Sequence, residues 1–206
     1  MQPQQPPQLS PTPLPSDYLD QIAPTPKVQV MNSKVVLALI GGGVLLLLIL
    51  VFIIATSGGS KTAPLEHLAL RLQILQKVST LSHKNIKSST LRTVNSNLKT
   101  SLINANRDIT TPLEAAKVDL KKVDKKIIAI EDGTALTAAL EEGRLNATFD
   151  RTYAKEMSYQ LDRTTILMDS LLKATSSKSL KTFINSSSKD LESLQKQFAD
   201  YSSANS

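Results

Sequence analysis

Val35 to Ala55, VVLALIGGGVLLLLILVFIIA, is a run of 21 uncharged and almost wholly apolar residues that divides the chain into a part before it and a part after it. As a helix rising about 1.5 Å per residue it spans roughly 31 Å, the thickness of a bilayer's hydrocarbon core. Lys34 and Lys61 are the nearest charges on either side. A cleaved signal peptide has an apolar stretch of about 7–15 residues behind a short basic segment. Here 34 residues precede the run and the run is longer. A core helix apolar on every side would be unusual in a chain of 206 residues. The run therefore predicts one retained transmembrane helix over 34–56, and no second stretch approaches its length. Ala38 lies one helical turn before Gly42, and Gly41, Gly42 and Gly43 are consecutive. Small residues so spaced let two membrane helices approach closely, so these four form a candidate packing face for a homodimer.

Working back from the run, residues 1–33 hold eight of the ten prolines and many glutamines. Proline fixes φ and removes a backbone donor, and the segment has little apolar surface to offset chain ordering. It reads as a disordered, partly polyproline-II tail, with Pro3-Gln4-Gln5-Pro6 as a single P-x-x-P match. Lys27 and Lys34 before the run and Lys61, Arg71 and Lys77 after it nearly balance the positive-inside rule. The layout of a signal anchor with a following domain predicts the tail inside and the domain outside the cytoplasmic membrane.

Working forward, Thr56-Ser57-Gly58-Gly59-Ser60 opens a flexible linker over 57–63. Residues 64–203 then carry apolar spacing of helical period with almost no alternation. Leu65, Leu68, Leu72 and Leu75 begin one stripe, which Leu91, Val94, Leu98, Leu102, Ala105 and Ile109 resume. The polar section from Ser79 to Ser89 predicts a kink or a wet face within that first helix. Thr111-Pro112-Leu113-Glu114 predicts a second helix start, with Thr111 as N-cap, Pro112 at the first helical position and Glu114 closing a capping box. Its stripe would be Leu113, Ala116, Leu120, Val123, Ile127 and Ile130. A short helix follows from Thr134 to Glu142, stopped by Gly143. Asn146 caps a third helix carrying Phe149, Tyr153, Met157, Leu161, Met168 and Leu171. After Ser176-Ser177-Lys178-Ser179, a fourth carries Leu180, Ile184, Leu191, Leu194, Phe198 and Tyr201. One-sided stripes must pack against one another, and short loops favour antiparallel neighbours. The expected fold is all-α: a transmembrane helix, then an antiparallel bundle of three to four long helices with coiled-coil-like seams in the second and fourth.

Composition narrows the chemistry. There is no cysteine, so disulfides, thiolate metal sites and cysteine nucleophiles are excluded. His67 and His83, sixteen residues apart on one predicted helix, are about 24 Å apart along it and share no metal; both are expected at the surface. Neither Glu-x-x-His nor His-Glu-x-x-His occurs. Ser-x-x-Lys begins at Ser96, Ser170, Ser186 and Ser193, but without the companion motifs of serine acyl transfer. Asn146 and Asn185 each open a glycosylation sequon, and Asn146 is better read as a helix cap. No catalytic residue, metal ligand or cofactor is expected.

Charge is the asymmetric feature. Residues 61–107 carry eight Lys or Arg against Glu66 alone, whereas residues 108–206 carry fourteen against fifteen acids. Lys77, Lys84, Lys87, Arg92 and Lys99 are therefore candidate contacts for an anionic lipid, wall polymer or nucleic acid on a membrane-proximal helix. The absence of aromatic residues from 61–107 removes base-stacking platforms and weighs against nucleic acid.

Several short strings carry a resemblance. Tyr18-Leu19-Asp20-Gln21-Ile22-Ala23-Pro24 precedes the Gly-bearing apolar run, and a Gly-Gly-Ser linker follows it. Leu68-Ala69-Leu70-Arg71-Leu72-Gln73, Asn95-Ser96-Asn97-Leu98 and Asn104-Ala105-Asn106-Arg107-Asp108-Ile109 come after. Together they resemble single-pass membrane proteins of ultrasmall, Saccharibacteria-type bacteria, a group that carries no known activity. The resemblance implies a bacterial cell envelope. The expected role is a membrane-anchored helical structural or interaction protein, touching membrane lipid and a protein or envelope-polymer partner. The alternative is a receptor-like module that uses the basic helix to hold an anionic ligand.

Overall fold

The structure, a computed structural model, describes residues 62–205. The predicted tail, the apolar run with Ala38, Gly41, Gly42 and Gly43, and most of the linker lie outside the described residues. Among the described residues no helix is long and apolar enough to cross a membrane.

Those residues form seven helices and no strand: α1 (Ala63–Ser82), α2 (Ser89–Asp108), α3 (Thr110–Ala115), α4 (Lys125–Ile130), α5 (Thr134–Leu145), α6 (Phe149–Ala174) and α7 (Lys178–Ala204). The expected all-α class holds. The expected count of three to four long helices is corrected to a bundle of five, because the 12-residue α5 packs as a full member along α6.

The two longest helices follow their stripes closely. Phe149, Tyr153, Met157, Leu161, Met168 and Leu171 are all buried on α6. Leu180, Ile184, Leu191, Leu194 and Phe198 face them from α7, joined by Phe183, which the spacing had not included. Ser177 caps α7, its Oγ accepting from the Leu180 N–H at 3.4 Å. Gln195 Nε2 donates to Ser158 Oγ across the antiparallel pair at 3.1 Å. Tyr153 stacks on Phe149 with ring centroids 5.9 Å apart and meets Phe198 edge-on at 5.8 Å, an arrangement that adds to simple burial. On the other side Leu68, Leu72 and Leu75 of α1 and Leu91, Leu98 and Leu102 of α2 are essentially solvent-free. Each such side chain contributes roughly 1.5–3 kcal/mol by burial.

The predicted first helix is two. Residues 83–88 turn the chain back, and the side chain of Asn106 on α2 donates to the Leu72 carbonyl on α1 at 3.1 Å. The polar section from Ser79 to Ser89 is thus a reversal instead of a kink. Ser88 is an N-cap, its Oγ accepting from the Leu91 N–H at 3.3 Å, and the Ile86 side chain is buried as a plug in the turn.

The predicted second helix fails as a unit. Its start lies within α3, whose N-cap position is Ile109, with no side-chain cap; Thr111 is not a cap. The helix then stops after six residues. Lys117 takes φ 56°, its N–H bonds to the Glu114 carbonyl at 3.0 Å and the Val118 N–H bonds to the Leu113 carbonyl at 2.9 Å. That pair of bonds is a Schellman closure. Asp119 and Asp124 then accept from the backbone N–H groups of Lys121 and Lys126 at 3.0 and 2.8 Å, which favours turn over helix. Leu113 and Val123 are buried, but Ile130 is 51% exposed, so the second coiled-coil seam does not exist.

A second Schellman closure ends α5. Asn146 is its C-cap, not the cap of α6; Ala147 takes φ 56° and the Thr148 N–H reaches the Gly143 carbonyl at 2.8 Å. Gly143 lies inside α5 instead of ending it. A Cβ there would come within 2.7 Å of Thr152 Oγ1, so glycine permits the close approach of α5 to α6.

The bundle has two ends. At the first, Thr62, Pro64 and Leu65 line one depression with Pro112, Ala116, Leu171 and Leu180. At the other lie the α1–α2 turn and the α5–α6 turn, separated from the first by the length of α1, about 30 Å.

Candidate anion-binding groove

The far end is assembled around Asp150, in the first turn of α6. Its carboxylate accepts the backbone N–H of Lys87 at 3.0 Å and that of Ser88 at 2.7 Å. Arg92, on the first turn of α2, donates from Nε to the Ile86 carbonyl at 2.7 Å. These bonds hold the backbone of 86–88 and leave the lysine side chains outside. Lys84, Lys87 and Arg92 then line a groove of about 470 Å³ together with Arg144, Ala147, Thr148 and Phe149. Four cationic side chains share it with one carboxylate, that of Asp150, which already accepts two backbone donors.

Three of the five basic residues singled out by the charge asymmetry are thus brought together, and two are not. Lys99 lies seven residues beyond Arg92, two turns along the same face of α2, and is exposed. Lys77 lines a different depression on α1, beside Gln73, Leu81 and Asn106. Because α1 runs away from Thr62 for 20 residues, Lys84 and Lys87 sit at its far end.

Arg144 was not foreseen. It is the last-turn cation of α5 and becomes part of the groove only because the α5–α6 turn lies beside the α1–α2 turn. Its guanidinium makes a two-point pair with Glu141, Nε–Oε2 2.8 Å and Nη2–Oε1 2.6 Å. The pair holds the Glu141 carboxyl below its usual range and the Arg144 guanidinium above its own. Both groups are about half exposed, so water screens the pair and it adds little stability.

Two polar clusters lie inside the bundle. His67 is buried, against the expectation of a surface residue; its Nδ1 lies 3.0 Å from Glu131 Oε1. Arg71 grips the same carboxylate, Nε–Oε2 2.9 Å and Nη2–Oε1 2.5 Å, and donates from Nη1 to the Arg163 carbonyl at 3.2 Å. Burial pushes the Glu131 carboxyl up, but the hydrogen bonds from His67 and Arg71, with the charge of Arg71, outweigh it and hold the group below the usual carboxylate range. In the second cluster the Tyr153 hydroxyl donates to Asn95 Oδ1, and Asn95 Nδ2 donates to the Ser79 carbonyl at 3.1 Å. Burial raises the Tyr153 pKa, so the phenol stays protonated. His83 is exposed, with its Nδ1 3.4 Å from Asn95 Nδ2. These clusters tie α1 to the α4–α5 junction and α2 to α6, so their chemistry is spent on holding helices in register.

No family model, no curated protein and no solved structure matches the chain.

Proposed function

We propose that the chain is a membrane-anchored helical interaction protein of a bacterial cell envelope, without catalytic activity, that presents a basic groove to an anionic envelope polymer. The observation that carries this reading is the convergence of Lys84, Lys87, Arg92 and Arg144 on one groove at the end of the bundle opposite Thr62. Anchorage rests on the apolar run 35–55, a bilayer's thickness in helical length. The groove lies about 30 Å along α1 from the residue where the chain enters the bundle, which supports a phosphate- or carboxylate-bearing polymer over lipid as its ligand. The rigid turn supports the same reading, because Asp150 fixes the backbone while the lysine heads stay free to follow an irregular chain.

The test is titration of the full chain in neutral-lipid nanodiscs with long-chain polyphosphate and with poly-glutamate. Binding should weaken steeply as salt rises, because the contacts are exposed charges. Lys84→Glu with Lys87→Glu should abolish it, and Lys173→Glu with Lys189→Glu, exposed elsewhere, should leave most of it. Equal loss in both pairs would mean nonspecific attraction to a basic protein and would contradict the groove.

A further inference from the structure

Between α3 and α5 the chain makes an excursion unlike the rest of the molecule. Residues 117–126, KVDLKKVDKK, hold five lysines against two aspartates. All five lysines are exposed. Asp119 and Asp124 are both committed to backbone N–H groups, and Asp119 Oδ2 also lies 3.7 Å from Lys122 Nζ. The excursion ends in α4, Lys125-Lys126-Ile127-Ile128-Ala129-Ile130, six residues of which none is buried. Ile128 and Ile130 are 46% and 51% exposed. A helix of less than two turns with no fully buried side chain gains little from packing within the bundle. Its isoleucines have an apolar surface to offer and its lysines a charge.

The excursion lies against α1 at both ends, its start beside the first turn and its close, where Ile130 and Gly133 share a depression with Arg71, Ile74 and Leu75, beside the middle of the helix. At its start, Ala116 lines the same depression as Thr62 and Pro64. At its close, Glu131 is held by His67 and Arg71. It therefore runs along the half of the bundle nearer Thr62, where the chain leaves the described residues, and away from the end that bears the groove. Thr62 follows Ala55, the last residue of the apolar run, by seven residues. Even fully extended, seven residues reach about 25 Å.

From this we infer that the segment from Lys117 to Ile130 docks on the anionic surface of the bilayer, with its lysines among acidic headgroups and Ile128 and Ile130 set at the acyl boundary. The inference rests on the membrane anchorage proposed above and names the surface that meets the lipid. Charge complementarity selects that occupant: lysines flanking exposed isoleucines suit an interface that is negative outside and apolar beneath. The tether confines this end to within about 25 Å of the apolar run, so it can reach the surface.

The chain has no cysteine, so a single Ala129→Cys places one environment-sensitive fluorophore on α4. A matching label at Thr90→Cys, exposed on the first turn of α2, reports the opposite end. The full chain is reconstituted in nanodiscs of phosphatidylcholine alone, or with about one third phosphatidylglycerol, each carrying nitroxide-labelled lipid. The expected result is a blue-shifted emission at position 129 with severalfold stronger quenching in the anionic discs, and no quenching at position 90. Raising salt to about 1 M, where the screening length falls to about 3 Å, should reverse most of it. Lys121→Gln, Lys122→Gln, Lys125→Gln and Lys126→Gln together should do the same, and Ile128→Ser with Ile130→Ser should remove the blue shift. Chains that enter the discs but show equal, weak quenching in both lipids overturn the inference and leave the anchorage standing. Cross-linking between two copies through position 129 without lipid quenching assigns the face to a second chain and also overturns it. Chains that never enter discs remove the anchorage, and the inference falls with it.

Discussion

Arg71 on α1 and Glu131 at the end of α4, sixty residues apart in sequence, meet inside the bundle as a two-point pair with 2.9 and 2.5 Å contacts. Their side chains are 5% and 6% exposed. The pair joins the close of the lysine-rich excursion to the bundle, beyond the points where Val118, Leu120 and Val123 pack inward. Removing one member leaves the other charged and buried, which costs about 3–5 kcal/mol. Glu131→Ala should therefore lower stability by that much in denaturant unfolding of the full chain in detergent. Arg71→Met with Glu131→Leu should recover most of the loss, since a filled apolar site leaves no orphan charge.

The same pair sets a pH dependence. Glu131 has a folded pKa below its ordinary value of 4.5 because His67 and Arg71 hydrogen-bond to its ionised form. A depressed carboxylate stabilises the fold above its unfolded pKa, and that contribution is lost as pH falls through the folded value. Stability should be flat with respect to this group above about pH 5 and fall below pH 4.5. In Glu131→Leu the acid limb should be shallower, as measured by unfolding midpoints across that range.

Gly143 gives a prediction of sign. Helix propensity alone would make Gly143→Ala stabilising by about 1 kcal/mol. The added Cβ would stand 2.8 Å from Thr152 Cβ, however, on a neighbouring helix. Overpacking of that kind costs roughly 1–3 kcal/mol, so the net effect should be a lower Tm. Gly143→Ala with Thr152→Ala should restore it. Ala147, in the left-handed region without being glycine, should behave oppositely, and Ala147→Gly should raise stability by about 0.5–1 kcal/mol.

Tyr153 tests the second buried cluster. Tyr153→Phe keeps the ring contacts with Phe149 and Phe198 but leaves Asn95 Oδ1 without its donor. The expected cost is about 1–3 kcal/mol in chemical unfolding. A cost near zero would mean that the ring packing carries the contact by itself.

Legibility in the sequence varied with how far a residue's partner lay along the chain. The stripes of α6 and α7 could be read because their faces meet each other across a short turn. The stripe from Leu113 to Ile130 had the same spacing and misled. Local chemistry held the contrary signal: in one helix Lys117, Lys121 and Lys125, and likewise Lys122 and Lys126, would stack as like charges four residues apart. The two aspartates offered turns instead, and the chain took them. The turn at 83–88 was visible only as a polar gap, since its closing partner, Asp150, lies 62 residues beyond Ser88. The basic groove was half legible. Lys84, Lys87 and Arg92 stood out by charge, but the reversal of the chain decides which end of the bundle they occupy, and Arg144 joins them only through the fold. His67 and Arg71 share one face of α1, yet nothing local announces that Glu131 completes them.

The account depends most on the claim that the apolar run holds the chain in a membrane with the bundle outside. Single cysteines at Ser10→Cys and Ser206→Cys, in a chain that otherwise has none, make the test clean. Intact bacterial cells expressing each variant are treated with a membrane-impermeant maleimide. Labelling at position 206 alone is the predicted result. Labelling at position 10 alone would put the bundle in the cytoplasm and contradict an envelope polymer as its partner, and recovery of the unlabelled chain in the soluble fraction would contradict the anchor itself.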